Sequence, residues 1–367
     1  MDFAPNEEQQ AVADLARQIL VDRVDPDRLS TIEERGEWFD RETYAALADA
    51  GLLGVGLAED VGGAGQGLVE VAQLVEAQGE SVAPLPLLPT GLAAMAIDHF
   101  GDDDLRRRWL PGVVDGSTVL SVALQEYLDD DLTAPTTKAV PDGDGWRLDG
   151  TKVCVEFAEQ AERILVGAST DDGPAVFLVD PKADGVTLVS GTSTREEPVH
   201  EMVMSSVAAD AVLGEPSSDA AVLRWIVDRA VALVCATQVG VVERALRLTA
   251  EYTSEREQFG RKIATFQAVT QREADAYIGV AAIRLCAYQA VWRLSEDLPS
   301  EEELAIAKWY ASDAAQQVAH ATQHLHGGIG VDVDYPLHRY TLWNKHLETS
   351  LGAGTSQLRK LGALLAD

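Results

Sequence analysis

The chain has 367 residues, 46% of them hydrophobic and 24% charged, enough to bury a large core and to fill two or three domains. Its net charge of −31 and pI near 4.4 repel phosphate backbones and anionic membranes, which argues against nucleic-acid binding, and any polyanionic ligand would need a locally basic pocket. Cys154, Cys235 and Cys286 stand far apart with no C-x-x-C spacing, which speaks against a disulfide framework and a zinc site and fits a reducing cytoplasm.

The first ten residues, MDFAPNEEQQ, show no basic segment followed by an apolar one, so no leader peptide is expected. From Asn6 the apolar positions Val12, Leu15, Ala16, Ile19 and Leu20 fall at helical spacing, with Asn6 as N-cap and Gln9 placed for a capping box. A second helix is predicted from Asp40 to Ala50, stopping at Gly51, and a third over Leu68 to Ala77. The glycine-rich stretch Gly62 to Gly67 between them follows no strand and lacks the G-x-G-x-x-G spacing, so it reads as a turn and not a dinucleotide loop. Between Thr118 and Leu213 the runs TVLSVA, RILVGA, AVFLVD and GVTLVS are separated by turn clusters, which predicts a small all-β domain. After Pro216 long helical periodicity returns over Val222 to Ser254, Phe266 to Glu296 and Glu301 to His324. The apolar stretch Val231 to Val242 is too short to span a bilayer and reads as a buried core helix. The expected fold is therefore an N-terminal helical domain (1–116), a central β-barrel or sandwich domain (117–215) and a C-terminal four-helix-bundle domain (216–367).

Three ordered motifs carry a resemblance. Arg256-Glu257-Gln258-Phe259-Gly260-Arg261-Lys262-Ile263, followed by Thr265-Phe266-Gln267, resembles the acyl-CoA dehydrogenase signature R-x-x-F-G-x-x-I-x-x-F-Q. Gln323-His324-Leu325-His326-Gly327-Gly328, with Tyr335-Pro336 and Arg339-Tyr340 beyond, is similar to that family's second signature, and Gly354-Thr355-Ser356-Gln357 to its C-terminal G-T-x-Q. The segments Gly51 to Gly54 and Glu59 to Gly65 are family-like too, so the resemblance spans the chain. Arg256 offers a planar charged fork for a pyrophosphate, Phe259 an aromatic face, and Gly327 and Gly328 a backbone that an anion can approach closely. The resemblance implies that Arg256, Phe259, Gln323, Gly327, Gly328, Thr355 and Gln357 contact FAD held mainly by a neighbouring subunit. His320 and His324 share a helix face, but Ala321 follows His320, so H-E-x-x-H is absent and no metal is expected.

Dehydrogenation of an acyl-CoA needs a carboxylate base for the α-proton. The family places that base either just before the C-terminal G-T, here Ala353, or on the helix upstream of R-x-x-F-G, here Ala230-Val231. Neither position carries a carboxylate. Asp228 lies two residues off register, a rotation of about 200° on a helix, and Glu348 lies a few residues before the other position; these two are the remaining candidates. The family's flavin-holding T-E-P-x-x-G-S-D is replaced by Leu124-Gln125-Glu126-Tyr127-Leu128-Asp129-Asp130, and its Trp-x-Thr after G-T-K by Cys154-Val155-Glu156, where Glu156 adds a negative charge.

Motifs that reach a neighbour's FAD are kept while those that hold the chain's own are lost, as in the non-catalytic partner subunits of heteromeric bacterial steroid-catabolic acyl-CoA dehydrogenases. The resemblance implies a cytoplasmic α2β2 flavoenzyme sharing FAD with a second dehydrogenase-like chain, acting on a steroid side-chain or ring-fragment CoA thioester and passing electrons to an acceptor flavoprotein. The rival readings are a self-sufficient homo-oligomer using Asp228 or Glu348, and a catalytically dead scaffold that binds acyl-CoA or a partner.

Overall fold

The first ordered contact in the computed structural model, which describes residues 6–128 and 131–366, is the predicted capping box. Asn6 accepts the Gln9 N–H at 2.8 Å and donates its own to Gln9 Oε1 at 3.0 Å, opening α1 (Glu7–Arg23). Asp25 caps α2 (Pro26–Arg35), and Asp40 caps α3 (Arg41–Asp49), which ends at Gly51 as expected. The glycine-rich stretch is a folded-back turn, with the Gly63 and Gly65 amides donating to Ala58 and Leu57. The following α4 (Leu68–Ser81) runs a turn beyond its predicted end. Two helices not singled out above, α5 (Leu87–Phe100) and α6 (Asp103–Val114), complete this part. Nine of the fourteen residues of α5 are buried, so its sequence shows no apolar stripe to read.

Eight strands follow: β1 (Leu120–Ala123), β2 (Lys138–Asp142), β3 (Gly145–Glu156), β4 (Arg163–Thr170), β5 (Gly173–Val179), β6 (Val186–Thr192), β7 (Pro198–Ala208) and β8 (Ala211–Leu213). They form one mixed sheet in the order β6-β7-β3-β2-β4-β5-β8, with β1 added beside β4. A single register pair, Lys138–Ser169, joins the β6-β7-β3-β2 group to the rest. Residues from both groups, among them Leu148, Val155, Val166, Phe177, Met202 and Val207, bury into one core. This is the expected central β-domain.

The remaining elements are α7 (Ala221–Glu255), a hairpin of β9 (Glu257–Gln258) and β10 (Arg261–Lys262), α8 (Gln267–Ser295), α9 (Glu301–His326), α10 (Leu337–Thr349) and α11 (Gly354–Leu364). The helical runs read from the sequence agree with α7, α8 and α9 to within two residues at each end. Among the described residues α7 is the one helix long and apolar enough to cross a membrane, and 83% of its most apolar window is buried, as a core helix requires.

Contacts divide the chain into two compact units: residues 1–36, 72–83 and 231–367 in one, 37–71 and 84–230 in the other. In the first, α4 meets α7 glycine against backbone. A Cβ on Gly79 would stand 2.2 Å from the Thr237 carbonyl oxygen, and one on Gly240 would stand 2.0 Å from that of Glu76. This close approach buries Glu76 completely, and its carboxylate is met from three sides: Arg17 Nη2 of α1 at 2.9 Å, Arg284 Nη2 of α8 at 2.8 Å and the Tyr288 hydroxyl at 2.5 Å. Arg17 also donates to Glu80 at 2.8 Å and Arg284 to Glu243 at 2.8 Å. Glu76→Gln is expected to leave these guanidiniums partly unanswered at a cost of about 3–5 kcal/mol, since breaking a buried charge network strands its remaining members. The check is the urea midpoint of the variant, which falls if the network bears that load.

Candidate functional site

The R-x-x-F-G segment turns out to be a display. Arg256 follows α7 directly, its amide donating to the Tyr252 carbonyl at 2.8 Å, and β9 and β10 close a two-residue hairpin on Phe259 and Gly260. Both turn residues have positive φ, 54° and 75°, as a type I′ hairpin turn requires. Phenylalanine in this conformation is strained by roughly 1 kcal/mol or more, yet the residue is 92% exposed. Its intrachain neighbour is Phe266, edge-on at 6.1 Å, which is itself covered by the Arg261 guanidinium at 4.0 Å. Arg256 is exposed as well. A strained, outward aromatic beside an outward guanidinium suits a flat, anionic group that comes from outside the chain.

The second signature closes α9. Gly327 has φ 65° and ψ −139°, a conformation that favours glycine, and a Cβ on either Gly327 or Gly328 would meet nothing within 4 Å. The backbone there is open to an approaching anion, with half-buried Gln323 one turn before it. His326 is buried, its Nδ1 2.8 Å from the Thr322 carbonyl oxygen and its Nε2 3.2 Å from the Tyr335 hydroxyl, and it stacks on Tyr252 at 4.5 Å. Burial pushes its pKa down. It holds the turn together, whereas His320 and His324 are exposed. Arg339 and Tyr340 also act inside the chain: Arg339 grips both oxygens of Glu33 at 2.6 and 2.7 Å, and Tyr340 donates its hydroxyl to the Glu80 carbonyl at 2.8 Å.

In the C-terminal motif Thr355 is exposed, while Gln357 is buried and turned back on its own loop, its amide 3.4 Å from the carbonyls of Leu351 and Gly352. A residue that sequence reasoning missed organises this loop. Lys308 of α9, fully buried, donates to the carbonyls of Leu347 at 2.9 Å and Glu348 at 3.0 Å and to Ser312 Oγ at 3.2 Å. Burial pushes its pKa down to about 8. A lone lysine inside a helix gives no signal of such a role.

Of the two candidate bases, Glu348 is ion-paired to Lys345 at 2.9 Å, and Asp228 is half-buried on α7 beside Arg229, whose guanidinium lies 3.7 Å over Trp225. Ala353 is exposed and Ala230 buried. The two candidates belong to different compact units. Among the described residues the one cluster of potential metal ligands is Glu76, Glu80 and Glu243, already engaged by Arg17 and Arg284.

The β-domain shows what became of the other half of the family pattern. Glu126 accepts from Lys152 Nζ at 2.6 Å and from the amides of Thr136 at 2.6 Å and Thr137 at 2.9 Å, with the Thr136 hydroxyl closing the set. Burial alone would raise its pKa, but these donors outweigh it and hold the carboxyl at about 2. Both side chains are consumed in fixing the Gln125–Leu128 segment; Asp129 and Asp130 lie outside the described residues. The register of β3 against β7 shifts between Lys152 and Val155, at the point where Cys154 adopts a φ of 54°. Glu156 is not the uncompensated charge that its position in the sequence suggests. Arg195 meets it at 3.1 Å and Glu197 at 3.2 Å, so one buried guanidinium serves two carboxylates. The cost falls on Glu197, whose pKa burial pushes up to about 7.

A carboxyl raised above its unfolded value near 4.5 favours the fold below that pH and loses the advantage as pH rises through 7. Glu197→Gln is therefore expected to stabilise the protein at pH 8 by about 2–3 kcal/mol while changing little at pH 5. Thermal midpoints of both proteins across that range provide the check; a constant difference would refute the assignment.

Comparison with known proteins finds relatives of the same domains and fold. Residues 6–117 match the family model for the acyl-CoA dehydrogenase N-terminal domain, and residues 221–365 the model for its C-terminal domain. The acyl-CoA dehydrogenase FadE27 of Mycobacterium tuberculosis is 38% identical over 100% of this chain and 99% of its own length. Among solved structures, a variant of the Tcur3481-Tcur3483 steroid ACAD is 46% identical with a TM-score of 0.93, covering 98% of both chains. The ChsE4-ChsE5 complex from Mycobacterium tuberculosis is 38% identical with a TM-score of 0.93, covering 100% of this chain and 99% of the other.

Proposed function

The chain belongs to the acyl-CoA dehydrogenase family, and on that premise we propose that it is the partner subunit of a two-chain FAD-dependent acyl-CoA dehydrogenase. The assembly is α2β2 and cytoplasmic, acts on the α,β bond of a steroid side-chain or ring-fragment CoA thioester, and delivers electrons to an acceptor flavoprotein. One contrast carries the reading. The groups that face outward, Phe259, Arg256 and the open backbone at Gly327 and Gly328, are presented intact, whereas Glu126 and Glu156 are tied to Lys152 and Arg195 within the chain. Similarity to a steroid ACAD and to a two-chain complex supports the substrate class and the pairing.

In this role Arg256 would hold the pyrophosphate of an FAD belonging mainly to the partner, with Phe259, Gln323, Thr355 and the Gly327 and Gly328 backbone as the other groups that would hold the cofactor. FAD, when bound, supplies the acceptor for the β-hydride. Gln357 and Lys308 contribute by fixing the end of α10 and the turn that leads into α11, where Thr355 stands. With Ala at 230 and 353, Glu348 paired to Lys345 and Asp228 off register, the α-proton base comes from the other chain.

Expressed alone, the chain is expected to purify colourless, and to acquire flavin absorbance and acyl-CoA turnover only with a co-expressed dehydrogenase-like partner. A yellow, active homo-oligomer would overturn the proposal, and absence of turnover with every partner would point to a scaffold. In the active complex Arg256→Ala removes a charge-assisted contact of about 1.5–3 kcal/mol, so FAD affinity falls roughly tenfold to a hundredfold. The Asp228→Ala, Glu348→Ala double variant keeps its turnover; its loss would return the base to this chain.

A further inference from the structure

A cavity of about 440 Å³ lies in the first compact unit, walled by α1, the start of α2, the end of α4, α7 and α10. Its size falls in the range of roughly 300–1,000 Å³ typical of small-molecule sites. Much of the wall is apolar and well buried, including Leu20, Val24, Leu29, Val82 and Leu248. Four arginines share it with two carboxylates, Asp25 and Glu80, a local excess of positive charge in a protein of net charge −31.

Those arginines are not equivalent. Arg17 is committed to Glu76 and Glu80, and Arg339 to both oxygens of Glu33. Asp25 is likewise engaged, accepting the Arg28 amide at 2.7 Å. Arg244 and Arg247 stand one turn apart on α7, close enough to address one ligand group. Arg244 uses part of its fork on the Tyr340 hydroxyl and stands 3.7 Å from the Glu251 carboxylate, too long for a hydrogen bond, while Arg247 is exposed, feels the charge of Glu80 and has no ion pair within 4.0 Å among the described residues. Two guanidiniums with donors to spare beside an apolar wall match a molecule that is charged at one end only.

We propose that this cavity binds an amphipathic anion, its apolar body against Leu20 and Leu248 and its single carboxylate or phosphate head on Arg244 and Arg247. Neither the two guanidiniums nor the two leucines belong to the groups assigned to the flavin, and Arg339 and Tyr340 of the wall act inside the chain, so the inference stands or falls apart from the proposed function. Decanoate, dodecyl phosphate and neutral decanol are titrated calorimetrically into the full chain in its purified assembly, below the concentration at which each self-associates. At least one anion is expected to bind, about tenfold or more tighter than decanol, as loss of a charged hydrogen bond implies. A response to decanoate alone assigns a carboxylate head, to dodecyl phosphate alone a phosphate head, and to both a site that accepts either.

Because Arg247 is exposed, Arg247→Ala should fold normally while weakening the anion roughly tenfold or more, with Arg247→Lys recovering part of the loss. Arg244→Gln is expected to act in the same direction, and neither change to alter the decanol titration. No binding of either anion, equal binding of decanol, or undiminished binding by an Arg244→Gln, Arg247→Ala double variant would each overturn the proposal.

Discussion

The buried carboxylate of Glu76 is the constraint around which the helical unit is arranged. An ionised group without solvent is tolerated only when every oxygen is answered, and Arg17, Arg284 and Tyr288 must therefore converge on one point from α1 and α8. That convergence is possible because Gly79 and Gly240 let α4 and α7 approach backbone to backbone. Sterics and charge thus specify one packing together, since a helix shift that relieved the contact would also expose or strand the carboxylate. The second arm of Arg17 and the Tyr340 hydroxyl, both at Glu80, bring α10 into the same frame.

Upon this frame the polar side chains divide by direction. Arg256, Phe259 and the Gly327-Gly328 backbone lie at helix ends and a hairpin tip, where the chain can present them without burying them. The corresponding side chains of the β-domain turn inward and neutralise one another, Glu126 with Lys152 and Glu156 with Arg195. The polar interior of this domain is thus completed by its own residues. Glu197 bears the residue of that exchange, a second carboxyl competing for a single guanidinium.

What could be read from the sequence follows from how far apart the interacting residues lie. Capping boxes, helix stops and hairpin turns are local, and Asn6 with Gln9, Asp40 with Gly51 and the long runs of α7 to α9 were legible for that reason. The outward motif was legible as well, since Arg256 and Phe259 sit within four residues. The stabilising pairs were not: Arg284 reaches Glu76 across 208 positions and Lys308 reaches Leu347 across 39, distances at which no periodicity signals a partner. Glu156 shows the consequence, since its charge was visible in the sequence and the guanidinium that answers it was not. The helix α5 was obscure for the opposite reason, being buried on so many sides that its pattern carries no direction.

The hairpin tip bears on the stability of the chain by itself. A phenylalanine held in a strained turn and bared to water is a cost without return for a lone chain, and a sticky one. Anything that covers it adds its binding free energy to the folded state by mass action, so a copy left bare is less stable than a covered one and more open to proteases and self-association.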